Sequence, residues 1–288
     1  MAHSELATPS ATVAVLRRHG LWTKKSLGQH FLVDDNVVGR IITLAALTGQ
    51  EHVLEVGPGI GTLTLALCHA AGEVTAVERD GRLLGILGEM AEKCGNLHVI
   101  AGDALEITEA DFDGPRGLPT SLVANLPYSV AATLVLRFFE ILPSLRSATV
   151  MVQAEVADRM MAVPGTKEYG SYTIKLALRA RHTGRFSVAP TCFLPPPRVD
   201  SAVLRLERLD STAPEEAIVR AARAADASFS QRRKTLRNSL SSALGVPAAE
   251  IESVLAAVGI DAGLRAETLL PESFLAIGAE LHKHSLLP

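Results

Sequence analysis

The sequence predicts an α/β protein with a doubly wound sheet, followed by a smaller all-helical C-terminal domain. Between residues 53 and 153, short and almost continuous apolar segments alternate with helical ones, which is typical of parallel strands buried on both faces. A glycine-rich turn directly follows the first of these segments, at the end of a strand where such sheets bind ligands. Beyond residue 210 the pattern changes to short amphipathic helices.

In chain order, residues 1–20 are predicted to form a flexible N-terminal arm. A helix capped by Asp34 or Asp35 is expected to run to about Leu47. The predicted strands cover residues 53–56, 74–77, 97–100, 121–124, 148–152 and 202–206, and a further helix covers 130–139. Polar composition at 210–214 marks a domain boundary, which gives a catalytic domain at 21–209 and a helical domain at 210–288. Helices of that second domain are predicted at 215–228, 231–244, 248–258 and 272–283.

Composition limits the function classes. The chain has 288 residues, 48% of them hydrophobic, which suffices for a large buried core. Its three cysteines form no C-x-x-C pair, so we expect neither a disulfide framework nor a metal site, and we expect a reducing cytoplasm. No apolar run is long enough for a membrane span, and the first residues do not resemble a signal peptide. The net charge of −3 excludes a uniformly basic protein but allows one basic face.

The glycine-rich turn carries Gly57, Gly59 and Gly61 directly after Glu55. A dinucleotide fingerprint would need its third glycine at Thr62, and Glu55 would repel a pyrophosphate. A phosphate-free, partly cationic ligand fits better, and the acid-x-G-x-G-x-G pattern resembles the first motif of the class I methyltransferases, which bind S-adenosylmethionine. A tight turn that binds nothing is the alternative.

Two further strand ends carry acids. Glu78 ends the second predicted strand, where a ribose diol is held in comparable sheets. Asp103 follows the third strand and can accept a hydrogen bond from an adenine amino group. Each acid alone is more often a solvated strand end, but the three ends together favour a cofactor site.

The fourth strand ends in Asn125-Leu126-Pro127-Tyr128. An aromatic amine such as adenine N6 is a poor nucleophile, so an enzyme that methylates it must hold the amino group with acceptors alone. The Asn125 amide oxygen and the Leu126 carbonyl supply acceptors, Pro127 adds rigidity without an N–H, and Tyr128 can stack on the base. Catalysis would then rest mainly on alignment. An ordinary strand-to-helix turn is the alternative.

Two later segments are candidates for contact with RNA. Prolines 195–197 predict a rigid loop that presents Phe193 to the second face of a base, although a core Phe is equally compatible with the sequence. Arg198 follows this loop. The cluster Arg232, Arg233, Lys234 and Arg237 is predicted on one helix beside Phe229, as a phosphate-backbone contact or as a face that only packs.

With these residues assembled, the chain from about Lys24 to Leu240 resembles the ribosomal small-subunit RNA adenine-N6 dimethyltransferases, the kasugamycin-resistance family. The motifs that carry the resemblance are Leu-Gly-Gln-His-Phe-Leu, Glu-Val-Gly-Pro-Gly-Ile-Gly, Asn-Leu-Pro-Tyr, Phe-Leu-Pro-Pro-Pro-Arg-Val-Asp-Ser-Ala-Val and Phe-Ser-Gln-Arg-Arg-Lys-Thr-Leu-Arg-Asn.

The resemblance implies transfer of four methyl groups from S-adenosylmethionine to two adjacent adenosines in the 3′-terminal hairpin loop of 16S rRNA. It also implies a role in late maturation of the 30S subunit, and we expect a monomer. It adds His30 and Leu32 to the cofactor site, beside Gly57, Glu78, Asp103 and Asn125. Lys24 and Lys25 are further candidates for RNA contact, and an ordinary solvated entry to the following helix is the alternative. Many members carry Asn at the position of His30, where a main-chain contact would survive the difference.

Other functions stay open from the sequence. An erythromycin-resistance enzyme that dimethylates one adenine of 23S rRNA shares the fold and the Asn-x-Pro-Tyr chemistry. A mitochondrial transcription factor of related fold, or an assembly factor that only binds, is disfavoured by the intact Asn125 and Tyr128. An NAD oxidoreductase is disfavoured by Glu55 and Thr62.

Overall fold

The computed structural model describes residues 3–22, 30–112, 117–210, 213–231 and 233–287. The chain divides into two compact units. The first comprises Met1–Ala157 and His182–Arg208, and the second comprises Asp158–Arg181 and Leu209–Pro288.

The first unit contains a seven-stranded sheet, which confirms the predicted doubly wound α/β fold. Its strands are β2 (His52–Val56), β3 (Glu73–Glu78), β4 (Leu97–Ala101), β5 (Ser121–Asn125), β6 (Ser147–Gln153), β7 (Ala180–Val188) and β9 (Ser201–Arg208). The order across the sheet is β4-β3-β2-β5-β6-β9-β7. The β2–β3, β3–β4, β2–β5 and β5–β6 pairs are parallel, whereas β9 is antiparallel to β6.

Helices α2 (Asp35–Ala45), α3 (Thr62–Ala70), α4 (Leu84–Cys94) and α5 (Ala131–Ile141) accompany the parallel strands. The Asp34 side chain caps α2 by accepting from the backbone N–H groups of Asn36 and Val37, as the sequence predicts. The chain runs from β2 outward to β4 and returns to β5 on the other side of β2. This reversal places the switch point of the sheet, where open α/β sheets bind ligands, between β2 and β5.

The N-terminal arm differs from the prediction. Residues Pro9–Arg18 form helix α1, whose N-cap is the Thr8 hydroxyl. Its Val15 and Leu16 are buried in an apolar cluster with Ile60 and Leu83, so tertiary packing stabilises a segment that was predicted to be a loose arm.

Two short strands form a separate antiparallel pair: β1 (Phe31–Leu32) and β8 (Phe193–Leu194). Phe31 is opposite Leu194 and Leu32 is opposite Phe193. This pair brings the His30 region to the start of the proline loop.

The second unit is helical. It contains α7 (Ser171–Ala177), α8 (Glu215–Phe229), α9 (Leu236–Leu244), α10 (Ala248–Ala257) and α11 (Ser273–Lys283), while α6 (Ala154–Met160) crosses the boundary between the units. Residues 158–181, placed in the first domain by the sequence, belong to this unit because Tyr169, Ile174 and Leu178 are buried in its core with Ile218 and Ala221. In the described ranges, no helix has the length and apolar character needed to cross a membrane.

Candidate active site

The glycine turn has the conformation that its sequence predicts. Gly57, Gly59 and Gly61 all have positive φ, between 63° and 86°, which side chains rarely tolerate. A Cβ added to Gly57 would lie 3.4 Å from the Pro127 side chain, and one added to Gly59 would lie 3.2 Å from the ring of Phe31. The turn is therefore packed closely against the Asn125–Tyr128 segment.

Glu55 is buried in β2, with 1% of its surface exposed. Within the part of the chain that the structure describes, its Oε2 has no hydrogen-bond partner. Burial raises the pKa of Glu55 to about 8, and the negative charge of Glu78 acts in the same direction. An uncompensated buried carboxyl beside a glycine turn is suited to a cationic ligand.

The two acids predicted at later strand ends lie on the same edge of the sheet. Glu78 accepts hydrogen bonds from the Gly59 N–H at 3.2 Å and the Asp80 N–H at 2.7 Å, and burial raises its pKa. Asp103 accepts from the Leu105 N–H and forms an ion pair with Arg79 at 3.1 Å. Arg79 was not predicted as a site residue, and only its position directly after Glu78 could have indicated it.

Asn125 ends β5, beside the glycine turn. Its Nδ2 lies 3.5 Å from the carbonyl oxygen of His30, an arrangement that leaves the amide oxygen as an acceptor. The side chain of Leu126 is buried, and its N–H donates to the Met151 carbonyl, which holds the segment against β6. These contacts fix the backbone that carries both predicted acceptors.

Tyr128 is held from two sides. Its hydroxyl lies 2.6 Å from the hydroxyl of Ser201, the buried first residue of β9. Its ring stacks near the His30 ring, with centroids 5.9 Å apart and planes inclined by 24°. Ser201 was not predicted as a functional residue, although it lies in the quoted Pro-Pro-Pro-Arg-Val-Asp-Ser motif.

His30 joins three parts of the site. Besides contacting Asn125 and Tyr128, its Nδ1 lies 2.7 Å from the Pro195 carbonyl oxygen. Because that carbonyl only accepts, Nδ1 carries the proton of this hydrogen bond. The side chain therefore supports Tyr128 and the proline loop, while its main chain faces Asn125.

Two predicted site residues have buried side chains. Phe193 is 3% exposed and lies in the core cluster that includes Leu32, Val37 and Val188, so the loop does not present its ring. The alternative of a core Phe, which the sequence left open, matches this packing. The Leu32 side chain is also buried, which leaves its main chain as the part that could reach a cofactor.

Of the predicted RNA contacts, Arg198, Arg233, Lys234 and Arg237 are exposed, and Lys24, Lys25 and Arg232 lie outside the described residues. The cluster is not on one helix as predicted. Helix α9 begins only at Leu236, and Arg233 and Lys234 lie in the preceding turn, where the Lys234 N–H donates to the Gln231 carbonyl. Arg237 is on α9 and pairs with Glu252 at 2.7 Å.

These residues fit S-adenosylmethionine better than a dinucleotide. The acids Glu78 and Asp103 can accept from hydroxyl and amino groups and disfavour a nearby phosphate. The buried Glu55 carboxyl, neutral in the free protein, can ionise beside a bound cation, which lowers its pKa.

Comparison with known proteins points in the same direction. A family profile described as ribosomal RNA adenine dimethylase matches residues 21–283. The ribosomal RNA small subunit methyltransferase A of Listeria monocytogenes serotype 4a (strain HCC23) is 43% identical over 281 residues, which cover 93% of this chain and 94% of the relative. The protein of the same name from Bacillus cereus (strain B4264) is 40% identical, and the match covers 98% of this chain and 99% of the relative.

Solved structures show the same fold. A dimethyladenosine transferase from Plasmodium falciparum superposes with a TM-score of 0.76 at 26% identity, covering 89% of this chain and 98% of that one. The 23S rRNA methyltransferase ErmE gives a TM-score of 0.63 at 27% identity, covering 88% of this chain and 99% of that one.

Proposed function

Because the chain belongs to the ribosomal RNA adenine dimethylase family, we propose that it dimethylates N6 of two adjacent adenosines in the 3′-terminal hairpin loop of 16S rRNA. The enzyme uses S-adenosylmethionine and acts on the 30S subunit late in its maturation. The observation that carries this proposal is the close packing of the Asn-Leu-Pro-Tyr segment against the glycine turn at the switch point of the sheet.

The cofactor is held by residues from four strand ends. Gly57, Gly59 and Gly61 allow its close approach, Glu78 accepts from the ribose hydroxyls, and Asp103 accepts from the adenine amino group. The positive charge of the cofactor lowers the pKa of Glu55, which then ionises beside it, and the main chain at His30 and Leu32 closes the site. The bound cofactor supplies an electrophilic methyl group.

The target adenine is held by acceptors only. The Asn125 amide oxygen and the Leu126 carbonyl accept from the N6 amino group, so that the nitrogen lone pair turns out of the ring plane. Tyr128, fixed by Ser201 and His30, stacks on one face of the base. No general base is needed, because the nitrogen loses its proton after methylation. Alignment on this scale is worth on the order of 7–11 kcal/mol.

The RNA is held through its phosphates. Arg198 in the first unit and Arg233, Lys234 and Arg237 in the second are exposed cations suited to a ribosomal RNA backbone. Lys24, Lys25 and Arg232 belong to the same proposal from the sequence. We infer a cytoplasmic monomer with no membrane or metal partner.

Methyl transfer to purified particles tests this proposal. Radiolabelled S-adenosylmethionine is incubated with 30S and 50S particles that lack these modifications, and the RNA is digested to nucleosides. We expect label in N6,N6-dimethyladenosine from 30S alone, with about four methyl groups per particle. Label from 23S rRNA would instead identify a resistance enzyme, and cofactor binding without any transfer would favour an assembly or transcription factor.

A further inference from the structure

The only tryptophan of the chain, Trp22, is 69% exposed. Its position is fixed by the end of α1, where Gly20 has a φ of 65° and donates to the Arg17 carbonyl, and Leu21 donates to the Leu16 carbonyl. This is a Schellman motif, completed by the apolar contact between Leu21 and the cluster that contains Leu16. The backbone is therefore locked immediately before the exposed indole.

One guanidinium lies beside this indole. The Arg17 guanidinium is 5.9 Å from the centre of the ring, and Arg18, the next residue in the sequence, is exposed. Among the described residues, neither arginine forms an ion pair with a carboxylate. Arg82 lies nearby and is paired with Asp80. An exposed aromatic plane with one unpaired arginine beside its ring, and a second unpaired arginine next to the first in the sequence, has the chemistry of a site for a base and its phosphates.

The indole also lies close to the proposed cofactor site. It shares a shallow surface depression with residues from the segment after β3, and the Asp80 N–H in that segment donates to Glu78. The depression is lined by Leu16, Leu21, Trp22, Asp80, Arg82 and Leu83. In the sequence, Lys24 and Lys25 follow Trp22 by two and three residues.

We propose that Trp22, Arg17 and Arg18 form a nucleobase-binding site for a single-stranded part of the RNA substrate, separate from the adenine site at Tyr128. An unpaired base stacks on the indole, and the two guanidinium groups contact the flanking phosphates. This inference rests on the proposed function, since it takes RNA as the substrate.

Intrinsic fluorescence tests the site directly, because the chain has a single tryptophan. The full-length protein is titrated at low salt with an oligoadenylate of about six nucleotides. We expect saturable quenching that weakens as salt is added. An oligomer with the same sugar-phosphate backbone but no bases should leave the emission unchanged. Absence of quenching by the oligoadenylate, or equal quenching by the abasic oligomer, would overturn the proposal.

The arginines are tested in the same titration. Replacing both Arg17 and Arg18 by Gln keeps the indole and is expected to weaken the oligoadenylate affinity by roughly tenfold. An unchanged affinity would show that the two arginines do not contribute to the site.

A methyl-transfer assay on variants distinguishes failure of this inference from failure of the proposed function. With 30S particles, Trp22→Ala should raise KM roughly 5- to 100-fold and leave kcat within about a factor of two, while Trp22→Phe recovers most of the loss. Leu270→Ala, which truncates another exposed apolar side chain, is the matched control and should not change KM. An unchanged KM for Trp22→Ala would refute the site. If the wild type transfers no methyl group, the proposed function fails, and the fluorescence titration still decides on the base site.

Discussion

At the scale of single residues, Asn125 is the side chain on which the proposed transfer depends most directly. Asn125→Ala removes the acceptor for the adenine amino group and leaves the exposed cations in place. We therefore expect methyl transfer to fall at least about 100-fold, while RNA affinity changes less than about twofold. Single-turnover transfer and filter binding to 30S particles measure the two effects, and retained turnover would contradict the assigned role.

The contacts of His30 with Tyr128 and the Pro195 carbonyl predict that it positions the proposed adenine site. His30→Ala removes the ring contact and the 2.7 Å hydrogen bond, so we expect kcat to fall roughly tenfold. Cofactor affinity should change less, because the main chain of His30 remains. A loss confined to cofactor affinity, measured by equilibrium titration, would show that the ring contacts the cofactor and does not position Tyr128.

Glu55 gives the fold a pH dependence. Unfolded Glu55 ionises near the ordinary glutamate pKa of 4.5, whereas the folded carboxyl, with its pKa raised to about 8, keeps its proton to about pH 8. The unfolded state therefore binds fewer protons between these values, and the free energy of unfolding decreases as pH rises through this window. Glu55→Gln removes this decrease, so its stability advantage over the wild type should grow from pH 5 to pH 8, by a few kcal/mol.

The matched control for this experiment is Glu51→Gln. Although burial opposes the shift, hydrogen bonds from Thr48 lower the pKa of Glu51. The stabilisation by ionised Glu51 is then fully present above the pKa of the unfolded state. The loss of stability in Glu51→Gln should therefore be constant from pH 5 to pH 8. Urea unfolding without cofactor measures both variants, and a constant difference for Glu55→Gln would disprove the buried-acid interpretation.

At the scale of elements, the turn from β2 into α3 is constrained by α4. Gly61 has a φ of 86°, and a Cβ there would lie 2.9 Å from the sulfur of the buried Met90. We expect Gly61→Ala to cost about 1–2 kcal/mol for the backbone and about 1–3 kcal/mol more for overpacking. Gly95→Ala, with a φ of 73° and no atom within 4 Å of its Cβ, should show only the backbone cost. Equal losses in urea unfolding would mean that Met90 moves away freely.

The turn before α9 carries Arg233 and Lys234, two of the residues proposed to contact RNA phosphates. Arg233→Glu with Lys234→Glu should weaken 30S binding and reduce the slope of log affinity against log salt by about two. Arg265→Glu with Lys283→Glu makes the same charge change at two residues of this unit that already pair with acids. An equal effect of the two double variants would indicate general charge attraction and no specific contact.

At the scale of the whole molecule, the central strands were predictable because they are buried on both faces and read as apolar runs. The position of Glu55, Glu78 and Asn125 on one edge of the sheet was predictable as well, because each lies at or next to the end of a parallel strand. Strand β7 was not predictable, because most of its residues are exposed and polar. The contacts of His30 with Tyr128 and Pro195 join residues far apart in the chain, and no local pattern encodes them.

The second unit is built from two separate stretches of chain, and this affects how the protein folds while it is being synthesised. Residues 158–181 are made before the C-terminal helices against which Tyr169, Ile174 and Leu178 pack. At roughly 5–20 residues per second, these apolar side chains wait on the order of 10 s for their partners. During that interval the nascent chain exposes a surface that chaperones can bind. For the same reason, a protein cut after Arg208 would expose the apolar side chains of residues 158–181 without their packing partners, and would be prone to aggregate.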